Sequence, residues 1–244
     1  MNKPENNKFS VGFSDGIPIG LGYLSVAFAF GLYAVSSGLS VWQAVLISMF
    51  NLTSAGQIAA IPIIAATGSL IELGLTQLVI NSRYALMSIS LSQRLGESVS
   101  FGDRFIIAFF NTDEIFAVAC AKDSLLGKRY LFAIALFPYL GWSLGTLFGA
   151  LLGGVLPSLL TGALSVAIYA MFIAIITPAA KSSRSTALCI VAAILASFAF
   201  ELVPLLKSVP RGMVIVCVTV CISALFALVA PISENDPWDE EECV

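Results

Sequence analysis

The stretch from Leu78 to Ser90, LVINSRYALMSIS, sets a guanidinium inside one of the most apolar parts of the chain. The nearest other charges are Glu72 and Arg94, each eleven residues from Arg83. Eleven residues of helix rise about 16 Å, close to half the ~30 Å hydrocarbon thickness of a bilayer. Arg83 therefore falls at the middle of any membrane helix drawn through this stretch, beyond snorkelling reach of either interface. A cation at that depth costs from about 3 to above 10 kcal/mol, depending on the scale, so it needs oxygen partners. Asp113 and Glu114, in the middle of the fourth apolar segment, are the candidates. Adjacent residues of a helix point about 100° apart, so a regular helix turns only one of them to Arg83. The other is left to accept from a broken backbone or to titrate. Both a structural ion pair and a binding centre are open readings. Buried pairs seldom add net stability over apolar packing, which favours the second. The two acids also suit the first turn of a helix capped by Thr112 or Asn111.

Two further constellations stand at membrane depth. The stretch NLTSAGQ, Asn51 to Gln57, interrupts the second apolar segment. Irregular backbone is tolerated there only when buried in protein or lining a cavity. A break exposes N–H groups at one half-helix and C=O groups at the other, which suits a ligand with a carboxylate and an ammonium. On the third segment, 100° spacing places Gln77, Asn81, Tyr84 and Ser88 on one stripe and Thr76, Arg83 and Ser90 on another. Only the remaining sector, with Leu75, Leu78, Val79, Leu86 and Ile89, suits lipid, so this helix is expected at the centre of the bundle.

The elements that must position these groups follow from composition. The chain has 244 residues, 58% hydrophobic and 11% charged, where soluble domains carry roughly 25% charged. Apolar runs are long and lack two-residue alternation, which excludes a membrane barrel. The expected fold class is an all-α, polytopic transmembrane helical bundle of seven or eight apolar segments, with the second and fourth interrupted or re-entrant. The segments run 17–35, 41–66, 71–91, 105–121, 130–152, 164–179, 186–206 and 213–232. Residues 1–232 read as a single transporter domain, with 233–244 an acidic, disordered cytoplasmic tail. The N-terminus makes a poor signal peptide, and the first segment is expected to be retained. Asp15, with Gly16 and Pro18, reads as the start of the first helix.

Lysines and arginines orient the bundle. If all eight segments cross, Lys3, Lys8, Lys122, Lys128, Arg129, Lys181 and Arg184 share one side, and Arg94, Arg104, Lys207 and Arg211 the other. If the second and fourth dip in and return, Arg94 and Arg104 change sides and the bias grows. Either scheme puts both termini in the cytoplasm. An internal repeat is expected, pairing the sequences that start at Gly38 and Gly162 and those that start at Ile17 and Phe137. Gly141, Gly145, Gly149 and Gly153 form a ridge for close helix packing. Cysteines 120, 189, 217 and 221 lie in apolar segments as packing residues, Cys243 lies in the tail, and there is no histidine. No metal site, cofactor or nucleic-acid surface is legible, and no nucleophile–base pair supports an enzyme.

Three motifs in order, GLSVWQAVLISMFNLTSAGQIA, LVINSRYALMSISLSQRL and NTDEIFAV, resemble those of the AzlC family. The resemblance spans about residues 10–230. It implies the large permease subunit of a branched-chain amino acid exporter, with a small membrane partner of the AzlD type, in a bacterial inner membrane. Two departures stand out: Tyr84 occupies a position often His in the family, and Ser54-Ala55-Gly56-Gln57 replaces the usual Gly-Ser-Ala-Gln. The expected substrates are valine, leucine, isoleucine and methionine. Arg83 or the N–H groups at Ser54–Gln57 would bind the carboxylate, while Asn81, Gln57 and Tyr84 orient the substrate. Asp113 or Glu114 would meet the ammonium or a coupling proton, and the neighbourhood of Ile58 and Leu78 would take the side chain. A channel or a structural subunit of a membrane complex is the alternative.

Overall fold

The computed structural model describes residues 5–152, 183–203 and 208–229, with scattered positions between 173 and 181. The tail 233–244, most of the apolar segment 164–179, Gly153, Cys243 and the repeat starting at Gly162 fall outside the described residues. Within them are nine helices: α1 (Phe9–Ser36), α2 (Val41–Phe50), α3 (Ser54–Ala65), α4 (Leu70–Ser92), α5 (Phe101–Phe110), α6 (Asp113–Cys120), α7 (Lys128–Leu152), α8 (Arg184–Leu202) and α9 (Arg211–Val229). The protein is a helical membrane protein: α1, α7, α8 and α9 are long and apolar enough to cross a bilayer. Among the described residues the fold departs from all-α only in two-residue strands, β1 (Glu5–Asn6) and β2 (Leu125–Leu126), which pair in parallel.

That ribbon fixes which ends lie together. Leu95 also bridges to Leu126, and Arg94 Nη1 donates to the Cys120 and Lys122 carbonyls at 2.8 and 3.1 Å. The start of α1, the end of α4, the end of α6 and the start of α7 therefore share one end of the bundle, called here the near end. Lys128 lies 3.9 Å from Asp103 in the first turn of α5, so α5 starts there too. The segment α5–α6 thus leaves the near end, turns at Asn111–Thr112 and returns. The segment α2–α3 does the same from the far end. It follows the close of α1, its Ile61 packs with Phe30, Ala34 and Leu39, and α3 leads directly into α4, which descends to the near end.

Both interrupted segments are hairpins of short helices joined by a break. A long helix followed by a hairpin occurs twice, at 9–65 and 70–120, in opposite directions. The echo is local as well. Ser40 caps α2 in a reciprocal box with Gln43, and Ser100 caps α5 in one with Asp103. Each ten-residue helix then ends at an asparagine, Asn51 or Asn111. The described part of the expected repeat, Ile17 onward with Phe137 onward, corresponds to α1 and α7, each with a proline inside (Pro18 and Pro138).

Helices α1 and α7 run parallel in close contact along their lengths. Gly12, Gly16, Gly20 and Gly31 of α1 and Gly141, Gly145 and Gly149 of α7 let the backbones meet. A Cβ on Gly16 would lie 2.6 Å from the Ile134 carbonyl oxygen, and one on Gly145 2.5 Å from that of Leu24. Small residues at such an interface replace a missing hydrophobic drive with backbone contact. Asp15 does not open a helix as expected. It lies inside α1, where it accepts from Tyr130 at 2.9 Å and pairs with Lys122 at 2.7 Å, because the helix begins six residues earlier at Phe9.

Gly145→Leu should force α1 from α7 and destabilise the fold by about 1–3 kcal/mol or more. Gly22→Leu, where a Cβ meets nothing within 4 Å, should leave it intact. The melting temperature of the detergent-solubilised chain compares the two.

Candidate functional site

The two hairpin tips meet halfway up the long helices. Tyr23 is fourteen residues from the start of α1 and thirteen from its end, about 20 Å each way. Its hydroxyl bonds Thr112 at 2.7 Å and the Glu114 carboxylate at the tip of α5–α6, while its ring packs edge-on to Trp142 at 5.2 Å. Leu52, in the tip of α2–α3, packs against that same pair. Tyr139 of α7 touches both tips: its hydroxyl donates to the Met49 carbonyl at 3.4 Å, and its ring lies 5.3 Å from Phe110.

Helix α4 supplies the polar wall, and its stripe faces the tips. Gln77 donates to the Gly56 carbonyl at 2.8 Å and accepts from Asn51 at 3.1 Å and Asn81 at 3.2 Å. Ser88 accepts from Asn111 at 3.3 Å. The Tyr84 hydroxyl donates to Asp113 of the second hairpin at 3.5 Å, and the residue lines the space between the two tips together with Thr53 of the first. These side chains take over the polar groups that a broken ladder leaves open at depth. Leu78, Leu86 and Ile89 face outward, more than half exposed. Leu78 is therefore not beside the tips, and Ile58 packs instead toward the far-end core.

Arg83 meets Asp113 at 2.8 Å and the Tyr84 hydroxyl at 3.0 Å, with its guanidinium carbon 4.8 Å from the Tyr84 ring centre. About 45% of the Arg83 side chain and 41% of that of Asp113 remain uncovered on the flank of the chain. Glu114 turns the other way, to Tyr23, as adjacent helical residues must. Thr112 caps α6 by accepting from the Ile115 N–H at 3.5 Å, so both acids occupy the first turn of a helix. Negative charge is favoured at that end of the peptide dipoles. At the start of α3 no acid lies in the first turn, and Thr53 makes no side-chain cap.

Between the tips is a cavity of about 190 Å³. It holds roughly six waters at about 30 Å³ each, the scale of a small amino acid. Phe50, Leu52, Phe109 and Ala108 give it an apolar side, and Asn51, Thr53, Asn81, Tyr84, Asn111 and Thr112 a polar one. Asn111, 4% exposed, has an unpartnered side-chain oxygen, as does Asn81. Both residues line this one cavity, where donors would satisfy the two acceptors.

Of the residues singled out from sequence, Asn81 and Tyr84 line this cavity, and Arg83 and Asp113 stand behind Tyr84. Ser54 begins the half-helix next to it. Gln57 is fully buried and turned back, donating to the Ser48 hydroxyl at 3.2 Å and to the Asn51 carbonyl, so it holds the first hairpin's bend. The sequence reading passed over Tyr23, Thr53 and Asn111 as site residues. The two Asn–Thr breaks carried a signal in their shared spacing from Ser40 and Ser100, whereas Tyr23, one aromatic on an apolar helix, carried none.

Comparison with known proteins places this architecture. The family model described as AzlC protein matches residues 18–156, which hold α1 from Pro18 onward, both hairpins, α4 and α7. The chain belongs to the AzlC family. That family is associated with branched-chain amino acid transport, and its members typically pair with AzlD. Inner membrane protein YgaZ of Escherichia coli is 30% identical over 231 residues, covering 91% of this chain and 94% of YgaZ. An uncharacterized membrane protein of Archaeoglobus fulgidus is 33% identical over 138 residues, 57% of this chain and 59% of that protein. One of Helicobacter pylori is 28% identical over 148 residues, 58% and 64%. No solved structure matches.

Arg83 and Asp113 touch, so their deletions should not add. Arg83→Gln and Asp113→Asn should each lower the melting temperature, and the double variant should lose less than the sum. A coupling of about 0.5–3 kcal/mol is expected. Strict additivity in a double-mutant cycle would mean that the pair does not act as one unit.

Proposed function

We propose that this AzlC-family chain is the large subunit of a secondary, proton-coupled exporter of branched-chain and related apolar amino acids: valine, leucine, isoleucine and methionine. The observation that carries this reading is the mid-height cavity between two broken helices that come from opposite ends of the bundle. Discontinuous helices of this kind suit a zwitterion. The N–H group opened at Ser54 receives the carboxylate, aided by the uncapped positive end of α3. The acceptors Asn81 Oδ1 and Asn111 Oδ1 take N–H donors of the ammonium, with Asp113 supplying its countercharge. Phe50, Leu52 and Phe109 face the apolar side chain. Arg83 acts through its partners, holding Asp113 and Tyr84 in place. Glu114, bonded to Tyr23, carries the coupling proton.

In the membrane both hairpins are re-entrant, and the near end faces the cytoplasm. That places Arg94 and Arg104 with Lys8, Lys122, Lys128, Arg129, Lys181 and Arg184, leaving Arg211 at the far end and Arg83 at mid-height among the described basic residues. This is the stronger form of the positive-inside bias, with both termini cytoplasmic in a bacterial inner membrane. The open flank at Arg83 and Asp113 supports an AzlD-type partner for this chain as well. An ion pair left against lipid tails is costly, and a small membrane subunit seated there would cover it.

Efflux of labelled valine, isoleucine and methionine from cells tests the assignment. Export should require this chain and its small partner, and should stop when the proton gradient collapses. Arg83→Gln should bring efflux to background while folded protein remains. Wild-type export in that variant removes the mechanism, and flux that only equilibrates the substrate makes the protein a channel.

A further inference from the structure

A second, larger cavity of about 800 Å³ opens between α3, α4, α8 and α9. Its walls are mainly apolar: Tyr33, Ile58, Pro62, Phe200, Val214 and Ile215. Its far-end rim carries exposed charge, Glu201 near the close of α8 and Arg211 at the start of α9. Its inner end is formed by Ala55 and Ile80. Each is the chain neighbour of a residue of the central site, Ser54 and Asn81. On α4, then, Ile80 faces the large cavity and the next residue faces the small one.

Gln77 bonds residues at the edges of both spaces: Asn51 and Asn81 of the small one, and Gly56, the chain neighbour of Ala55 in the large one. Gln77 donates to the Gly56 carbonyl and accepts from Asn51 and Asn81. These bonds tie the first hairpin's tip to α4 across the seam between the cavities. The fit is tight, since a Cβ on Gly56 would lie 2.6 Å from Gln77 Oε1. Gln77 binds neither the apolar wall nor the ion pair, and its amide is spent on the seam.

We propose that the large cavity is the passage by which the apolar amino acid leaves the central site toward the far face, and that Gln77 is the latch that closes it. This rests on the transport reading above. The apolar wall suits the departing side chain, and the charged rim marks where water meets the zwitterion again. Gln77 is a positioning residue: releasing its amide frees the tip of α2–α3 from α4 and joins the two spaces.

The test uses the full chain with its small partner, freed of native cysteines, in sealed vesicles. A membrane-impermeant maleimide is applied to each face in turn. Ala55→Cys should react from the far face with the latch intact, and Asn111→Cys should react slowly. Adding Gln77→Ala should speed labelling of Asn111→Cys at least tenfold and change that of Ala55→Cys little. Gly56→Ala, which pushes the amide aside from the other partner, should do the same and carries the test if Gln77→Ala does not fold. An Ala55→Cys unreactive from the far face, or an Asn111→Cys rate unmoved by the folded latch variants, overturns the proposal. Valine efflux is read on vesicles of the cysteine-free chain that keeps Ala55 and Asn111. The expected labelling without efflux supports passage and latch and removes only the transport reading.

Discussion

Backbone broken in the middle of a membrane has no water to satisfy it, and that constraint organises this fold. Among the described residues the chain breaks twice at mid-height, at Asn51–Thr53 and at Asn111–Thr112. Each break needs side-chain amides and hydroxyls within reach. Gln77, Tyr84 and Ser88 of α4 provide them, helped by Gln57 from within the first hairpin and Tyr23 from α1. A helix with so many polar groups cannot face lipid all round. It must stand where both tips can reach it, and the glycine-bearing pair α1 and α7 forms the solid wall opposite.

The charges obey the same geometry. Two half-helices begin at the centre, so two positive dipole ends point into one region. The second is countered by Asp113 and Glu114, and the first is left without an acid. Arg83 compensates Asp113 and is compensated by it, which is why a cation can persist at that depth. The region is therefore polarised, with N–H donors on the α3 side and carboxylates on the α6 side. Such a field fits a small zwitterion better than a simple ion of either sign.

Much of this was legible in the residues. The α4 stripe Gln77, Asn81, Tyr84 and Ser88 follows from 100° spacing, and each member contacts a neighbour from the hairpin tips or its own stripe. The need of Arg83 for an acid followed from its distance to any interface, and the structure selects Asp113 because Glu114 turns to Tyr23. The breaks were visible as polar runs, but their sense was not. Whether a broken segment continues or returns depends on tertiary contacts such as Leu95 with Leu126, which no local pattern encodes. Leu78 was misplaced for a similar reason: an apolar residue near a polar site in sequence can face lipid. Gln57 looked like a ligand because a polar residue beside a break has two possible jobs, and here it stabilises the bend.

The account stands on the two hairpins returning to the faces they left, so that their tips meet. The most direct measurement is the sidedness of the connections around α5–α6. Single cysteines at Glu97 and Asp123, in a cysteine-free chain in sealed vesicles, are labelled with an impermeant reagent from each face. Both should react from the face that also exposes a cysteine at Lys8. Labelling of Glu97→Cys and Asp123→Cys from opposite faces would mean that the segment crosses, the tips never meet, and the central cavity does not exist.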